Sequence, residues 1–235
     1  MSRKESVVTR VAFQTVAPDV LRFADARVSP TPARWSIVWA AERIVALVLF
    51  LLLLPVMVVA GIVVVLLSRR SPLVSHSRLG KGGSAFQVLK LRTMWEQANA
   101  TWELSFAERV GTSPSPDPKD PSDYRISSRF ARLLRRFSID ELPQIWQVAR
   151  GEMALIGPRP VTFEEMAKYY GGDAGEVLSM KPGLTGLWQV RGRSRLSYRQ
   201  RRRLDLFLVR RWSLRLYFFI VISTLPRVLL GKDSW

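Results

Sequence analysis

The longest feature in the hydrophobic pattern is Ile44 to Leu67, 24 residues without a charged side chain. As a helix it would extend about 36 Å, against a hydrocarbon core of about 30 Å, so the pattern predicts a helix that enters a membrane. Hydropathy alone favours a single crossing. Two details point instead to a turn back within one leaflet. Pro55 sits at the centre and removes a backbone hydrogen bond. Basic residues flank both ends, Arg34 and Arg43 before, Arg69 and Arg70 after, which nominates both flanks as cytoplasmic. A removable secretory signal does not fit, because the run is too long, starts too late and lacks a small-residue cleavage site.

Residues 1–34 carry no sustained period and are broken by Pro18, Pro30 and Pro32, which predicts a poorly ordered basic arm. Beyond the apolar run, Gly80, Gly82 and Gly83 mark a flexible turn before a short strand, Phe86 to Leu91. Period-two alternation puts Lys90 and Arg92 on one side of that extended segment. Trp95 to Val110 reads as an amphipathic helix and the Pro- and Ser-rich Gly111 to Ser122 as a surface loop. Ser138 to Glu141 fits a capping box with a Phe137–Leu142 staple. It predicts a helix from Ser138 to about Ala149, stopped by Gly151, with Asp140 and Glu141 in its first turn. Thr162 to Glu165 is a second box, opening a helix to about Tyr170 that Gly171 and Gly172 end. Lys181-Pro182-Gly183 is a turn into a strand-like Leu184 to Val190, and an arginine-rich, largely helical stretch runs from Arg191 to Arg211. Leu216 to Leu225 is apolar, too short to span and ended by Pro226, so it is expected at the interface with Trp212 and Tyr217 near headgroup depth. The sum is an α+β, mainly helical chain: arm 1–34, membrane helix 35–70, and one catalytic unit 71–235.

Charge narrows the partners. The 235 residues include 36 Lys and Arg against 19 Asp and Glu, a net charge of +17, which favours polyanions: nucleic acid, anionic lipid or nucleotide substrates. No nucleic-acid recognition motif accompanies the arginines, and a basic helix beside a membrane anchor more naturally meets anionic headgroups. Absence of cysteine excludes thiolate nucleophiles and Cys-based zinc sites. The single histidine, His76, falls in a polar connector and reads as a loop residue more than as a base.

Taken alone, Glu141 and Asp140 need do no more than cap a helix and complement its dipole, since capping boxes are common. A neighbouring motif weighs against that. Gly157-Pro158-Arg159-Pro160 pins an arginine between two fixed backbone positions straight after the apolar Met153 to Ile156 run. A fixed guanidinium near two carboxylates suits a phosphate ester and a metal ion better than solvent.

These residues resemble a known family. S-I-D-E-L-P-Q at 138–144, G-E-M-A-L-I-G-P-R-P at 151–160 and K-P-G-L-T-G-L-W-Q-V-R-G-R at 181–193 are similar to the bacterial monotopic phosphoglycosyl transferases, as is R-L-G-K-G-G-S-A-F-Q-V-L-K-L-R-T-M at 78–94. The resemblance covers roughly two-thirds of the chain through several independent motifs, in order. It implies a re-entrant membrane helix and a cytoplasmic active site at the bacterial inner membrane. The implied reaction moves a sugar 1-phosphate from a nucleoside diphosphate sugar, a UDP-sugar by expectation, to polyprenyl phosphate, releasing UMP. By the resemblance, Asp140 is the nucleophile and Glu141 the Mg²⁺ ligand. Lys90, Arg92, Arg135 and Arg159 would clamp phosphates, with Asp205 and Gln189 supporting metal or substrate. A homodimer is left open. The rival from another class is an inert, membrane-tethered basic module that binds nucleic acid or anionic lipid.

Overall fold

A computed structural model describes residues 33–95, 128–192 and 196–230. The arm to residue 32, the expected helix after Trp95 and the Pro-rich 111–122 stretch lie outside the described residues.

Helix α1, Ala33–Ser68, is continuous through Pro55. It begins well before the apolar run, and it is long and apolar enough to cross a membrane. One face stays bare, with Ile44, Leu51, Leu52, Val59, Ile62 and Leu66 exposed. The other packs on the domain along its length: Ala46 against Ile145, Val148 and Met153, and Ala60 and Val64 against Leu91 and Leu134.

Strands β1, Leu73–Leu79, and β2, Ala85–Leu91, form an antiparallel hairpin around a 3₁₀ turn at Lys81–Gly83, where Gly82 has φ 70°. The pairing places His76 opposite Val88 and Val74 opposite Lys90. The connector reading of His76 is therefore corrected: it is a strand residue, because the Gly-rich turn folds the preceding segment back onto the strand beyond it.

Helix α2, Arg129–Arg136, is capped by Ser128, whose hydroxyl accepts the Phe130 N–H at 3.1 Å. A 3₁₀ turn, Ile139–Glu141, separates it from α3, Gln144–Arg150. The expected helix start at Ser138 is thus corrected. Ser138 takes a left-handed conformation, φ 56° and ψ 24°, its side chain makes no cap, and Pro143 delays the α-helix by about one turn. Gly151, φ 78°, does stop α3.

Strand β3, Ala154–Ile156, pairs in parallel with β4, Gly183–Thr185. Gly157 and Gly183 permit this pairing, since a Cβ on either would fall on the other segment's backbone. Between the two strands, helix α4, Phe163–Tyr169, carries the second box in the expected form: Thr162 Oγ1 accepts the Glu165 N–H at 3.1 Å and Glu165 returns the bond at 2.9 Å. A short α5, Ala174–Val177, leads on to β4. The predicted strand to Val190 ends early, because after an extended Gly186 the chain turns into α6, Leu187–Arg191. Helix α7, Tyr198–Arg210, opens on a further box made by Ser197 and Gln200, and α8, Leu214–Leu230, runs through Pro226 instead of ending there. Ile220 of α8, Leu208 of α7 and Ile156 of β3 close one core, while Tyr170, Met166 and Leu178 close another beneath the hairpin tip.

Candidate active site

The hairpin has two chemically different faces. Val74, His76, Arg78, Val88 and Lys90 face a polar cavity of about 440 Å³, and the 3₁₀ turn, α3 and α6 complete it. Leu73, Leu89 and Leu91 face an apolar groove of about 580 Å³ against α1. Leu91 borders both. Period-two alternation is what lets one thin element wall off two environments. Gln147 of α3 fixes the hairpin in place, accepting the Leu89 N–H at 3.0 Å and donating to the Gln87 carbonyl.

Asp140 and Glu141 reach the cavity from the 3₁₀ turn, with Asp140 buried to 9% exposure. Lys90 Nζ donates to Glu141 Oε1 at 2.8 Å, tying strand to turn across 51 residues of sequence. Arg92 is anchored at the hairpin base, its Nε donating to the Ser71 carbonyl at 2.7 Å. Arg135 is buried on the same cavity wall. Arg159 lies with its guanidinium 4.8 Å from the Trp188 ring centre, and its buried Nε has no hydrogen-bond partner among the described residues. Gln189 donates from Nε2 to the Leu184 carbonyl at 3.3 Å and leaves a buried Oε1 without a partner, as Gln144 leaves its Nε2. Buried donors and acceptors of this kind are costly unless something polar arrives to meet them.

Seven of the residues singled out from the sequence therefore converge: Asp140, Glu141, Lys90, Arg92, Arg135, Arg159 and Gln189. Asp205 stands apart. It is fully buried and absent from the cavity lining; Oδ2 accepts the Tyr170 hydroxyl at 2.7 Å and Oδ1 the Arg159 N–H at 3.4 Å. Its carboxyl is tied to the cavity wall through Arg159. Burial raises it to about 7, against the lowering pull of the Tyr170 hydrogen bond and of Arg159 and Arg201. Burial and Asp205 together push the Tyr170 phenol up, keeping it a donor.

Sequence reasoning missed His76, Arg78 and Trp188, all on the cavity wall. The signal for the first two was available: once Gly80–Gly83 is read as a hairpin turn, the alternation that pairs Lys90 with Arg92 continues across it. His76 is held below its usual value by partial burial, then by Arg78 and Lys90.

Among the described residues no group of three or more His, Asp or Glu side chains could cage a metal. An all-protein site is not what Mg²⁺ requires, since it commonly takes one or two carboxylates and completes its shell with substrate phosphates and water. The adjacent Asp140 and Glu141 beside phosphate-seeking cations fit that mode.

The family model for bacterial sugar transferases matches residues 34–231, so the chain belongs to the bacterial sugar transferase family. Three relatives illustrate its range. The UDP-galactose-lipid carrier transferase of Erwinia amylovora is 38% identical over 196 residues, 80% of this chain and 39% of that protein. The exopolysaccharide production protein ExoY of Rhizobium meliloti is 39% identical over 164 residues, 68% of this chain and 71% of its own. The UDP-glucose:undecaprenyl-phosphate glucose-1-phosphate transferase of Caulobacter vibrioides is 36% identical over 203 residues, 83% and 70% respectively. The chain thus spans well under half of the Erwinia protein and about seven-tenths of the other two.

Proposed function

We propose that this chain transfers a sugar 1-phosphate from a UDP-sugar to polyprenyl phosphate, giving polyprenyl diphosphate-sugar and UMP, as a membrane step of bacterial exopolysaccharide assembly. The observation that carries the reading is the two-faced hairpin. An acceptor with an anionic head and an isoprenoid tail needs a cationic cavity and an apolar groove that meet, and these meet at Leu91. Pro143 and Trp146, just past the carboxylate turn, also line the groove, so a tail lying there would leave its phosphate near Asp140.

In the first half-reaction an Asp140 oxygen attacks the sugar-bearing phosphorus. The new bond is carboxylate oxygen to phosphorus, and the bond to UMP breaks. Arg92, Arg135 and Arg159 offset the repulsion between an anionic nucleophile and an anionic phosphate, while Lys90 orients Glu141. In the second, a polyprenyl phosphate oxygen attacks the same phosphorus and Asp140 leaves as a carboxylate. Mg²⁺, held by Glu141 with substrate oxygens, would supply further charge neutralisation. Dividing the transfer spares a site of this size from holding two polyanions at once.

The packing of both halves of α1 on the same domain supports shallow insertion over crossing. Ala46 and Val64 are about 27 Å apart along a straight helix, and a bilayer-spanning rod would carry one of them away from the domain. We therefore read α1 as re-entrant, α8 as interfacial, and the cavity as lying on the cytoplasmic face at headgroup depth.

The test is detergent-solubilised protein with a panel of UDP-sugars and no lipid. The expected result is a burst of up to one UMP per site and a sugar-phosphate adduct on the peptide containing Asp140. Release of UMP only when polyprenyl phosphate is present would replace the two-step route with transfer in one ternary complex. No release under either condition would favour the inert basic module.

A further inference from the structure

Near the start of α1, two lysines flank one indole and an arginine lies close enough to act on one of them. The Nζ of Lys81 lies 5.2 Å and that of Lys181 5.5 Å from the centre of the Trp39 ring. Arg43, one helical turn beyond Trp39 and so on the same face, lies over Gly151, where any Cβ would collide with its guanidinium. The residues come from three separate stretches of chain: α1, the hairpin turn and the segment before β4. None lines the catalytic cavity.

The local charge is unbalanced. Lys181 is held below its usual value by burial and then by repulsion from Arg43 and Lys81, with Glu42 opposing. Glu42 is itself buried and accepts the Leu155 N–H at 3.2 Å, and nearby Glu152 pairs with Arg150 at 3.0 Å. Among the described residues no carboxylate forms an ion pair with Arg43, Lys81 or Lys181. Three cations assembled against their repulsion are stabilised when an anion joins them, and a half-buried tryptophan near the start of a long apolar helix is the usual company of lipid headgroups.

We propose that Trp39, Arg43, Lys81 and Lys181 form a binding site for a phosphate-bearing anion, filled in the membrane by the headgroup of an anionic phospholipid. The site is independent of the transfer reaction. It rests on the membrane reading of α1 only for the source of its phosphate. Bound there, the lipid would bridge α1, the hairpin tip and the β4 segment, and so set the tilt of the domain on the bilayer.

The full chain in non-ionic detergent is offered equal amounts of phosphatidylglycerol and phosphatidylcholine and its lipid adducts are counted by native mass spectrometry. A second arm measures the melting temperature with and without inorganic phosphate. The wild type is expected to prefer phosphatidylglycerol at least fivefold. K81Q/K181Q should bring the ratio to near one, whereas K81R/K181R, which keeps the charges, and K168Q, elsewhere on the surface, should retain the preference. If lipid preference is absent but inorganic phosphate raises the melting temperature of the wild type and not of K81Q/K181Q, the anion site stands with a soluble source. A preference, or a phosphate response, that K81Q/K181Q leaves unchanged overturns the proposal.

Discussion

Two segments of this molecule carry the same pattern, a hydroxyl residue with glutamate three positions later, and use it in opposite ways. At Thr162–Glu165 the residues serve the backbone: each side chain bonds the other's N–H and a helix begins. At Ser138–Glu141 the backbone serves the residues. The turn is a single 3₁₀ winding, Ser138 sits at positive φ with no side-chain cap, and Glu141 reaches across to Lys90. A left-handed serine beside two carboxylates is the kind of local cost that persists where a site over-determines the backbone. A motif that caps helices elsewhere is here bent to aim side chains into a cavity.

The largest effects should come from the bent segment. Asp140→Asn is expected to lower turnover by about a thousandfold or more and to abolish the burst and the adduct, with an unchanged melting temperature. Glu141→Gln, which keeps the shape and loses the charge, should cost about a hundredfold at saturating Mg²⁺. Near-normal turnover in both would reduce the turn to the same structural duty as its counterpart.

Asp205 sharpens the contrast from the buried side, because its carboxyl supports the site without entering it. Its native value of about 7 stands above the ordinary 3.8, so between these the folded chain holds a proton that the unfolded chain has lost. Its contribution to stability is therefore full below about pH 4 and is lost as pH rises through about 7. The urea-derived stability advantage of wild type over Asp205→Asn should shrink across that window and level off above it. An advantage independent of pH would mean that the carboxyl is ionised throughout.

Smaller differences separate the two turns themselves. Thr162→Ala should cost about 1 kcal/mol of unfolding free energy and leave kcat intact, as loss of a formed cap does. Ser138→Gly should instead gain about 0.5 kcal/mol, relief of the left-handed backbone slightly exceeding the added chain entropy of glycine. If both lose alike, the turns are equivalent after all.

Much of this architecture was legible from local pattern. The apolar helix, the glycine turn, the side shared by Lys90 and Arg92, the Thr162 box and the stop at Gly151 each depend on neighbours in sequence, and each was found. What escaped depends on partners far along the chain. Ser138 abandons its cap to satisfy a cavity whose other wall, at Lys90, lies 51 residues before Glu141. Leu184 to Val190 reads as a strand-like run with Thr185 and Gln189 as its polar positions, yet after Gly186 it turns into a helix where Trp188 can meet Arg159. Asp205 matched an expected acidic position near metal or substrate, but its placement behind Arg159 comes from how α7 packs on Tyr170, which no local period encodes. His76 is the exception, for its strand pairs just across the Gly80–Gly83 turn and reading that turn as a hairpin would have placed it.

The packing of α1 bears on how this protein can be handled. Ala46 and Val64 are wholly enclosed by the domain, and removing the helix would bare Ile145, Val148, Leu134 and Leu91 together. The long apolar helix is thus a wall of the domain and no detachable appendage. A truncated, water-soluble version for screening inhibitors would forfeit two of its hydrophobic cores and one side of the apolar groove. Reagents for this protein have to be sought with the helix attached and amphiphile present.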